Sequence, residues 1–350
     1  MKRLARSCYT KGGYVFARKA ADSTLGAEKR VARLASNENP EGPSPLAIAA
    51  GKEALVTANR YPDETVENLT SALRSYYGDY TFVAGVGMDG VIETLIRTLV
   101  DPGETVGVST PTFSFYRLAA EAQGARVVPV PRREDFSVDV DALVKSGKDA
   151  KIVFLCSPNN PTGNATPIDD VKKVLEGIDG ILFLDNAYGE FSSIDYLSLM
   201  KKYENIIIGR TFSKVHSLAG LRIGYAFVPA WLQPYYMRAG TPFTVNSVSA
   251  AAASAALADP DHATRYVAQV EKWRKRFISG LKYRTLPSDA NFVMVDVAPH
   301  TGDEIVEKLA RCGVLVRSCR SFTGLGDHYI RASIGEDWEN EQFIRELNAV

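Results

Sequence analysis

The sequence predicts an α/β fold, with a large domain carrying a mostly parallel, doubly wound sheet and a smaller α+β domain after it. Three observations carry that expectation. From about residue 80, short runs rich in β-branched residues alternate with longer amphipathic stretches, the pattern of strands joined by crossover helices. Several short runs are almost wholly apolar, as strands covered on both faces must be. Beyond residue 281 the texture changes to strands flanking one helix, and 350 residues give room for about two domains of roughly 150 residues each.

In chain order, strands are expected over 105–109, 126–130, 152–156, 180–184, 205–209 and 223–228. Before the first of these, Val91, Ile92, Leu95, Ile96, Leu99 and Val100 recur on one side of a helix that Asp101-Pro102-Gly103 ends. A long helical pattern over 265–281 leads into strands at 291–297, 314–318 and 329–334. The expected division is an N-terminal arm over 1–30, a large domain over 31–260 and a small domain over 261–350. No linker rich in Gly, Ser or Pro separates the halves, so they are expected to pack closely around a cleft.

Composition narrows the function classes. Lys plus Arg and Asp plus Glu both number 41, so no global field attracts nucleic acid or an anionic membrane, and small-molecule partners are expected. Cys8, Cys156, Cys312 and Cys319 are scattered without a CxxC pair, which argues against a disulfide framework and for a reducing, cytoplasmic setting. His216, His262, His300 and His328 form neither HxH nor HExxH, so no metal site is expected. No run approaches the ~20 apolar residues of a membrane span, and the start shows no apolar leader segment.

In open α/β sheets the ligand lies outside the carboxyl ends of the strands, so the polar residues just past each strand are the candidates. Strand 152–156 runs into Ser157-Pro158-Asn159-Asn160-Pro161-Thr162-Gly163, strand 180–184 into Asp185-Asn186-Ala187-Tyr188, and strand 205–209 into Arg210-Thr211-Phe212-Ser213-Lys214, with Arg222 eight residues beyond the lysine. Together these supply what pyridoxal 5′-phosphate needs. Lys214 is the amine for a Schiff base and then the general acid/base at Cα, its pKa lowered by desolvation and nearby positive charge. Asp185 is the carboxylate that keeps the ring nitrogen protonated. Arg222 offers the phosphate a bidentate fork, Ser213 and Thr211 add hydroxyls, and Gly87-Met88-Asp89 adds backbone N–H groups at a helix N-terminus. Singly, each residue has a blander reading: a surface lysine, a helix cap, a turn. Their coincidence at strand ends makes the cofactor site the expectation.

Ser157 through Gly163, Asp185-Asn186-Ala187-Tyr188, and Ser213-Lys214 through Leu218-Ala219-Gly220-Leu221-Arg222-Ile223-Gly224-Tyr225 resemble, in this order, the signature series of class I/II aminotransferases, pyridoxal enzymes of fold type I. The resemblance implies that Asn160 and Tyr188 contact the cofactor ring oxygen, Tyr188 counting with Lys214 and Asp185 among the catalytic residues, and that Phe113 lies against the ring face. Ser36-Asn37-Glu38-Asn39-Pro40 with Gly42, Arg60-Tyr61-Pro62, Val316-Arg317 and Ile330-Arg331 through Gly335 extend the likeness over nearly the whole chain and narrow it to the histidinol-phosphate aminotransferases. That likeness implies a homodimer in which Tyr61 reaches the cofactor phosphate of the other subunit. It further implies that Arg317 and Arg331 hold in turn the phosphate of histidinol phosphate and the carboxylate of glutamate or 2-oxoglutarate, with Asn37 and Tyr61 also at the substrate. Three positions depart from the pattern: Gly90 and Asn186 where Glu is usual, and Phe113 where Tyr is usual.

Rival readings are weaker. Residues 85–90 satisfy GxGxxG, but the strand that follows ends in Ser109-Thr110-Pro111 rather than the acid a dinucleotide ribose requires, which counts against a nicotinamide dehydrogenase. An L-threonine-phosphate decarboxylase and an aromatic amino-acid aminotransferase resemble the same series, and the bond set perpendicular to the cofactor plane is not legible in sequence. A regulator on this fold would need a DNA-binding domain, for which the roughly thirty residues before Asn37 are too few.

Overall fold

The computed structural model describes Arg6, Tyr9, residues 13–15 and residues 30–350. Most of the arm expected over 1–30 lies outside the described residues.

The strands are β1 (Ala32–Arg33), β2 (Thr81–Val86), β3 (Thr105–Thr110), β4 (Arg126–Pro131), β5 (Ala150–Cys156), β6 (Ile181–Asp185), β7 (Ile206–Thr211), β8 (Ile223–Val228), β9 (Arg284–Thr285), β10 (Phe292–Asp296), β11 (Val314–Leu315), β12 (Arg317–Ser318) and β13 (Tyr329–Ser333). Seven of them form the central sheet in the order β2-β8-β7-β6-β5-β3-β4. The pairs from β7 through β4 are parallel, whereas β8 runs antiparallel to both its neighbours. Alternate residues of the same strands enter different cores. Leu155, Leu184 and Ile208 pack on one face, and Phe154, Phe183 and Ile207 on the other, so the sheet is covered on both sides and its strands read as apolar runs. β2, which the sequence reading does not place, is six residues long and merges into the glycines at 85–90, which mask its alternation.

Strands β5, β6 and β7 finish side by side, with Cys156 paired to Asp185 and Asp185 to Gly209. The motif residues that follow them therefore emerge at one edge. The helix Gly87–Leu99 starts directly at the end of β2 and buries Val91, Ile92, Leu95 and Ile96, so its first turn is held at that same edge.

The smaller unit carries a sheet in the order β12-β13-β10-β9, covered by the helix Pro260–Gly280, which buries Tyr266, Val270, Trp273 and Phe277. Asp259 caps this helix by accepting from the His262 N–H, with proline in the first turn. The strand expected over 314–318 is two short strands in different sheets. β12 pairs with β13, while β11 pairs in parallel with β1. Ala32 and Leu34 are consequently buried in the smaller unit's core, although the sequence reading begins the large domain at 31. A two-residue strand shows no period-2 signal, so its partner is not legible locally. No helix among the described residues is long and apolar enough to cross a membrane.

Candidate active site

A cavity of about 420 Å³ opens between the carboxyl ends of β5–β7 and the β12–β13 ribbon. Asn37, Met88, Asp89, Phe113, Asn160, Asp185, Tyr188, Thr211, Ser213, Lys214, Arg222, Arg317 and Arg331 all line it. Gly87 stands just behind, its Cα beside the Arg222 guanidinium. Tyr61 is the exception: it stacks on Phe243, ring centroids 4.8 Å apart, and is 83% exposed on the surface.

Asp185 ends β6 and is buried at the cavity floor. Its Oδ2 accepts from the Tyr116 hydroxyl at 2.6 Å and its Oδ1 from the Ala187 N–H at 3.0 Å, which fixes the plane of the carboxylate. Burial pushes its pKa up to about 6, while these two hydrogen bonds pull it down. A cationic ring nitrogen facing it would remove most of that burial cost. Tyr116 is fixed in turn by stacking on Phe154, centroids 4.9 Å apart.

Lys214 follows β7, and its Nζ donates to the Ser36 carbonyl at 3.3 Å and lies 5.8 Å from the centre of the Tyr188 ring. Desolvation first, then the positive charges of Arg331 and Arg222, lower its pKa to about 8, against opposing pulls from Glu38 and Asp89. The free amine is thus accessible near neutral pH, as a lysine that attacks an aldehyde and then shuttles a proton requires.

At one end Arg222 donates from Nη2 to Asp89 Oδ2 at 2.9 Å, and its backbone carbonyl accepts the Gly87 N–H at 2.9 Å. Gly87 has φ +67°, and a Cβ there would lie 2.5 Å from Arg222 Nη2, so only glycine lets the helix start and the guanidinium share this corner. Guanidinium, helix N-terminus and the Ser213 and Thr211 hydroxyls converge on a pocket suited to a dianion.

At the opposite end Arg317 and Arg331 are directly cross-strand on β12 and β13. Arg331 donates to Asn160 Oδ1 and to the Ala35 carbonyl, and its buried Nε has no partner among the described residues. The bond from Arg331 identifies Oδ1 as the acceptor of the Asn160 amide and leaves Nδ2 as its donor. Arg317 donates to the Val15 carbonyl and the Ser321 hydroxyl. Burial and then the neighbouring Arg331 hold its pKa below the usual range. Two like charges opposed on one ribbon face destabilise it unless an anion joins them.

The residues 29–347 match the family described as aminotransferase class I and II. The chain belongs to that family. Family membership brings pyridoxal 5′-phosphate with it, and the cavity fits this cofactor: a buried carboxylate on the floor, a low-pKa lysine beside it and a dianion corner at Gly87 and Arg222. A histidinol-phosphate aminotransferase from Methanoculleus marisnigri is 62% identical over 99% of both chains. Among solved structures, the histidinol-phosphate aminotransferase of Sinorhizobium meliloti in complex with pyridoxal-5′-phosphate superposes with a TM-score of 0.83 at 29% identity, covering 92% of this chain and 90% of that one. The L-threonine-O-3-phosphate decarboxylase of Porphyromonas gingivalis superposes almost as well, at 0.81 over 91% of this chain and 99% of that one, with 21% identity. The fold of this aminotransferase family thus serves more than one reaction.

Tyr116 and Glu38 line the cavity without a role in the sequence reading. Tyr116 lies one turn after Phe113 on an amphipathic helix, where an aromatic reads as core, and Tyr14 meets Phe113 edge-on at 5.9 Å. Glu38 stands in the Ser36-Asn37-Glu38-Asn39-Pro40 motif, but the resemblance assigns it no role. Of the three departures from the family pattern, Asn186 is explained by its Nδ2 donating to the Ser157 carbonyl at 2.6 Å, which ties the two motif loops together. A Cβ at Gly90 would meet only Val86 at 3.4 Å and the backbone of Gly85, and nothing in the structure explains the glycine.

Proposed function

We propose that this chain transfers an amino group between histidinol phosphate and 2-oxoglutarate, as a cytoplasmic homodimer serving histidine biosynthesis. The observation that carries the reading is the cross-strand Arg317–Arg331 pair, set in the same cavity as Lys214. A paired guanidinium site is selective for a phosphate or carboxylate tail, and both substrates have one. The 62% identity to the Methanoculleus marisnigri protein supports the same substrate.

Bound pyridoxal 5′-phosphate would supply an aldehyde for the substrate amine and an electron-withdrawing ring. Gly87, Met88, Asp89, Thr211, Ser213 and Arg222 would hold its phosphate, Asp185 its ring nitrogen, Asn160 and Tyr188 its ring oxygen, and Phe113 one ring face. Lys214 would take the proton from the substrate Cα and return it one position away, its lowered pKa matching both directions of transfer. Arg317 and Arg331 would orient the anionic tail so that the Cα–H bond faces Lys214, with Asn37 closing the near wall through its bond to Tyr188. The exposed apolar side chains of Leu55, Val56, Tyr61 and Phe243 support a second copy, against which Tyr61 would reach the partner's cofactor and substrate.

The test adds histidinol phosphate alone, then O-phosphothreonine alone, to the holoprotein. Histidinol phosphate is expected to bleach the visible cofactor absorbance, and 2-oxoglutarate to restore it. Release of carbon dioxide from O-phosphothreonine, with no response to histidinol phosphate, would overturn the reading in favour of a decarboxylase.

A further inference from the structure

Four cationic side chains, Lys214, Arg222, Arg317 and Arg331, stand in the cavity wall, and three carboxylates line it with them: Glu38, Asp89 and Asp185. Two of the three are committed. Asp89 is paired with Arg222, and Asp185 accepts from Tyr116 and Ala187. The Glu38 carboxylate makes no hydrogen bond or ion pair among the described residues, although it is close enough to influence the charge on Lys214.

Its backbone, by contrast, is clamped from every side. Asn37, held at φ +54°, donates its N–H to Ser333 Oγ at 2.8 Å and its Nδ2 to the Tyr188 hydroxyl at 3.0 Å, and its carbonyl accepts from Asn291 at 3.1 Å. The Glu38 carbonyl accepts from the Tyr266 hydroxyl at 3.2 Å, and Asn39 Nδ2 donates to the Val215 carbonyl at 3.0 Å. A left-handed asparagine and a ring of hydrogen bonds thus fix the Cα of an exposed side chain whose own head group has nothing to hold. Such preorganisation around an unsatisfied acceptor is what a ligand donor needs.

We infer that Glu38 is the specificity residue for the imidazole ring of the amino donor, accepting a ring N–H once the phosphate is seated on Arg317 and Arg331 and the amine on the cofactor, with the Cα–H bond beside Lys214. The inference rests on the proposed function. With tail and amine assigned, the ring is the one remaining donor group of histidinol phosphate, and the segment 36–38 forms the wall beside Lys214, with Ser36 at 3.3 Å from its Nζ. Imidazole donates an N–H in both its neutral and its charged form, so a carboxylate serves it on either side of the ring's pKa of about 6.5. Glutamate brings no donor to that wall, so Glu38 is dispensable for the second half of the cycle.

The experiment compares wild type with Glu38→Gln and Glu38→Ala in the cofactor-loaded protein. Each is titrated by calorimetry with imidazolylpropyl phosphate, which has ring and tail but no amine, and assayed with histidinol phosphate, alaninol phosphate and glutamate. The ring-bearing ligand is expected to lose roughly tenfold in affinity in both variants, and the preference for histidinol phosphate over alaninol phosphate to fall by a similar factor, with the KM for glutamate within about twofold of wild type. Equal losses on all three amino donors would overturn the inference, since Glu38 would then act on Lys214 rather than on the ring. So would unchanged ring affinity accompanied by a weakened dimer, which would make Glu38 an intersubunit partner. A wild-type protein inert toward histidinol phosphate would bring down the proposed function itself, and is told apart from these outcomes by the wild-type arm alone.

Discussion

The two ends of the cavity are built by opposite means. At the cofactor end the groups stand at the ends of buried strands of the central sheet: Asn160 is four residues past β5, Asp185 closes β6, Thr211 closes β7 with Lys214 three residues on, and Arg222 directly precedes β8. At the anion end the groups come from the short ribbon β12–β13, and from the segment 34–38 threaded between the two units. Parallel strands buried on both faces leave little freedom, so the first end is a fixed chemical platform. The second depends on contacts between units, and is where substrate choice can be altered without disturbing the platform.

The largest expected effect lies at the platform. Lys214→Ala is expected to lower turnover by at least about 10⁴-fold and to remove the visible cofactor absorbance, with thermal unfolding little changed. Turnover at a few per cent of wild type would place the proton transfer elsewhere and break the comparison at its stronger end.

Arg331→Ala should come next. It removes one half of the anion clamp and also the donor to Asn160 and Ala35, so kcat/KM is expected to fall on the order of 10²- to 10³-fold for histidinol phosphate and 2-oxoglutarate alike. Arg331→Lys should recover little, because a point charge cannot donate to Asn160, Ala35 and an anion in one plane. A loss confined to one substrate, measured in the two half-reactions separately, would show that the tails do not share a pocket.

Tyr116→Phe tests the platform's support. Removing a hydrogen bond to a buried carboxylate is expected to lower kcat by roughly ten- to a hundredfold and to weaken cofactor retention, while KM for both substrates stays near wild type. A change in KM with kcat intact would mean that Tyr116 acts through the cavity wall rather than through Asp185.

The same division explains what was legible in the sequence. Strands β5, β6 and β7 announce themselves as apolar runs, and the polar motif after each follows from their parallel register, so Asn160, Asp185, Lys214 and Arg222 could be grouped before any coordinates. The two-residue pairing of β1 with β11 could not, because it joins residues 32 and 314 without local periodicity. Tyr116 was hidden because a buried hydroxyl on an amphipathic helix looks like packing until its partner is known. Tyr61, named from resemblance alone, lies outside the single chain's cavity, and only a second copy would give it a role.

The smallest effect sharpens the comparison most, because it separates backbone strain from side-chain bonding at the seam. Asn37 is buried at φ +54°, a conformation that glycine adopts freely, asparagine tolerates and alanine resists. Asn37→Gly and Asn37→Ala both lose the bonds to Tyr188 and Ser333 Oγ that the side chain makes, so their shared loss measures those bonds. The further deficit of alanine relative to glycine, expected at about 1 kcal/mol in denaturant unfolding, measures the strain held by the surrounding clamp. Equal stability of the two variants would mean that the segment relaxes when its side chain is removed. The anion end would then be held by side-chain contacts alone, and the Glu38 wall would not be preorganised by its backbone.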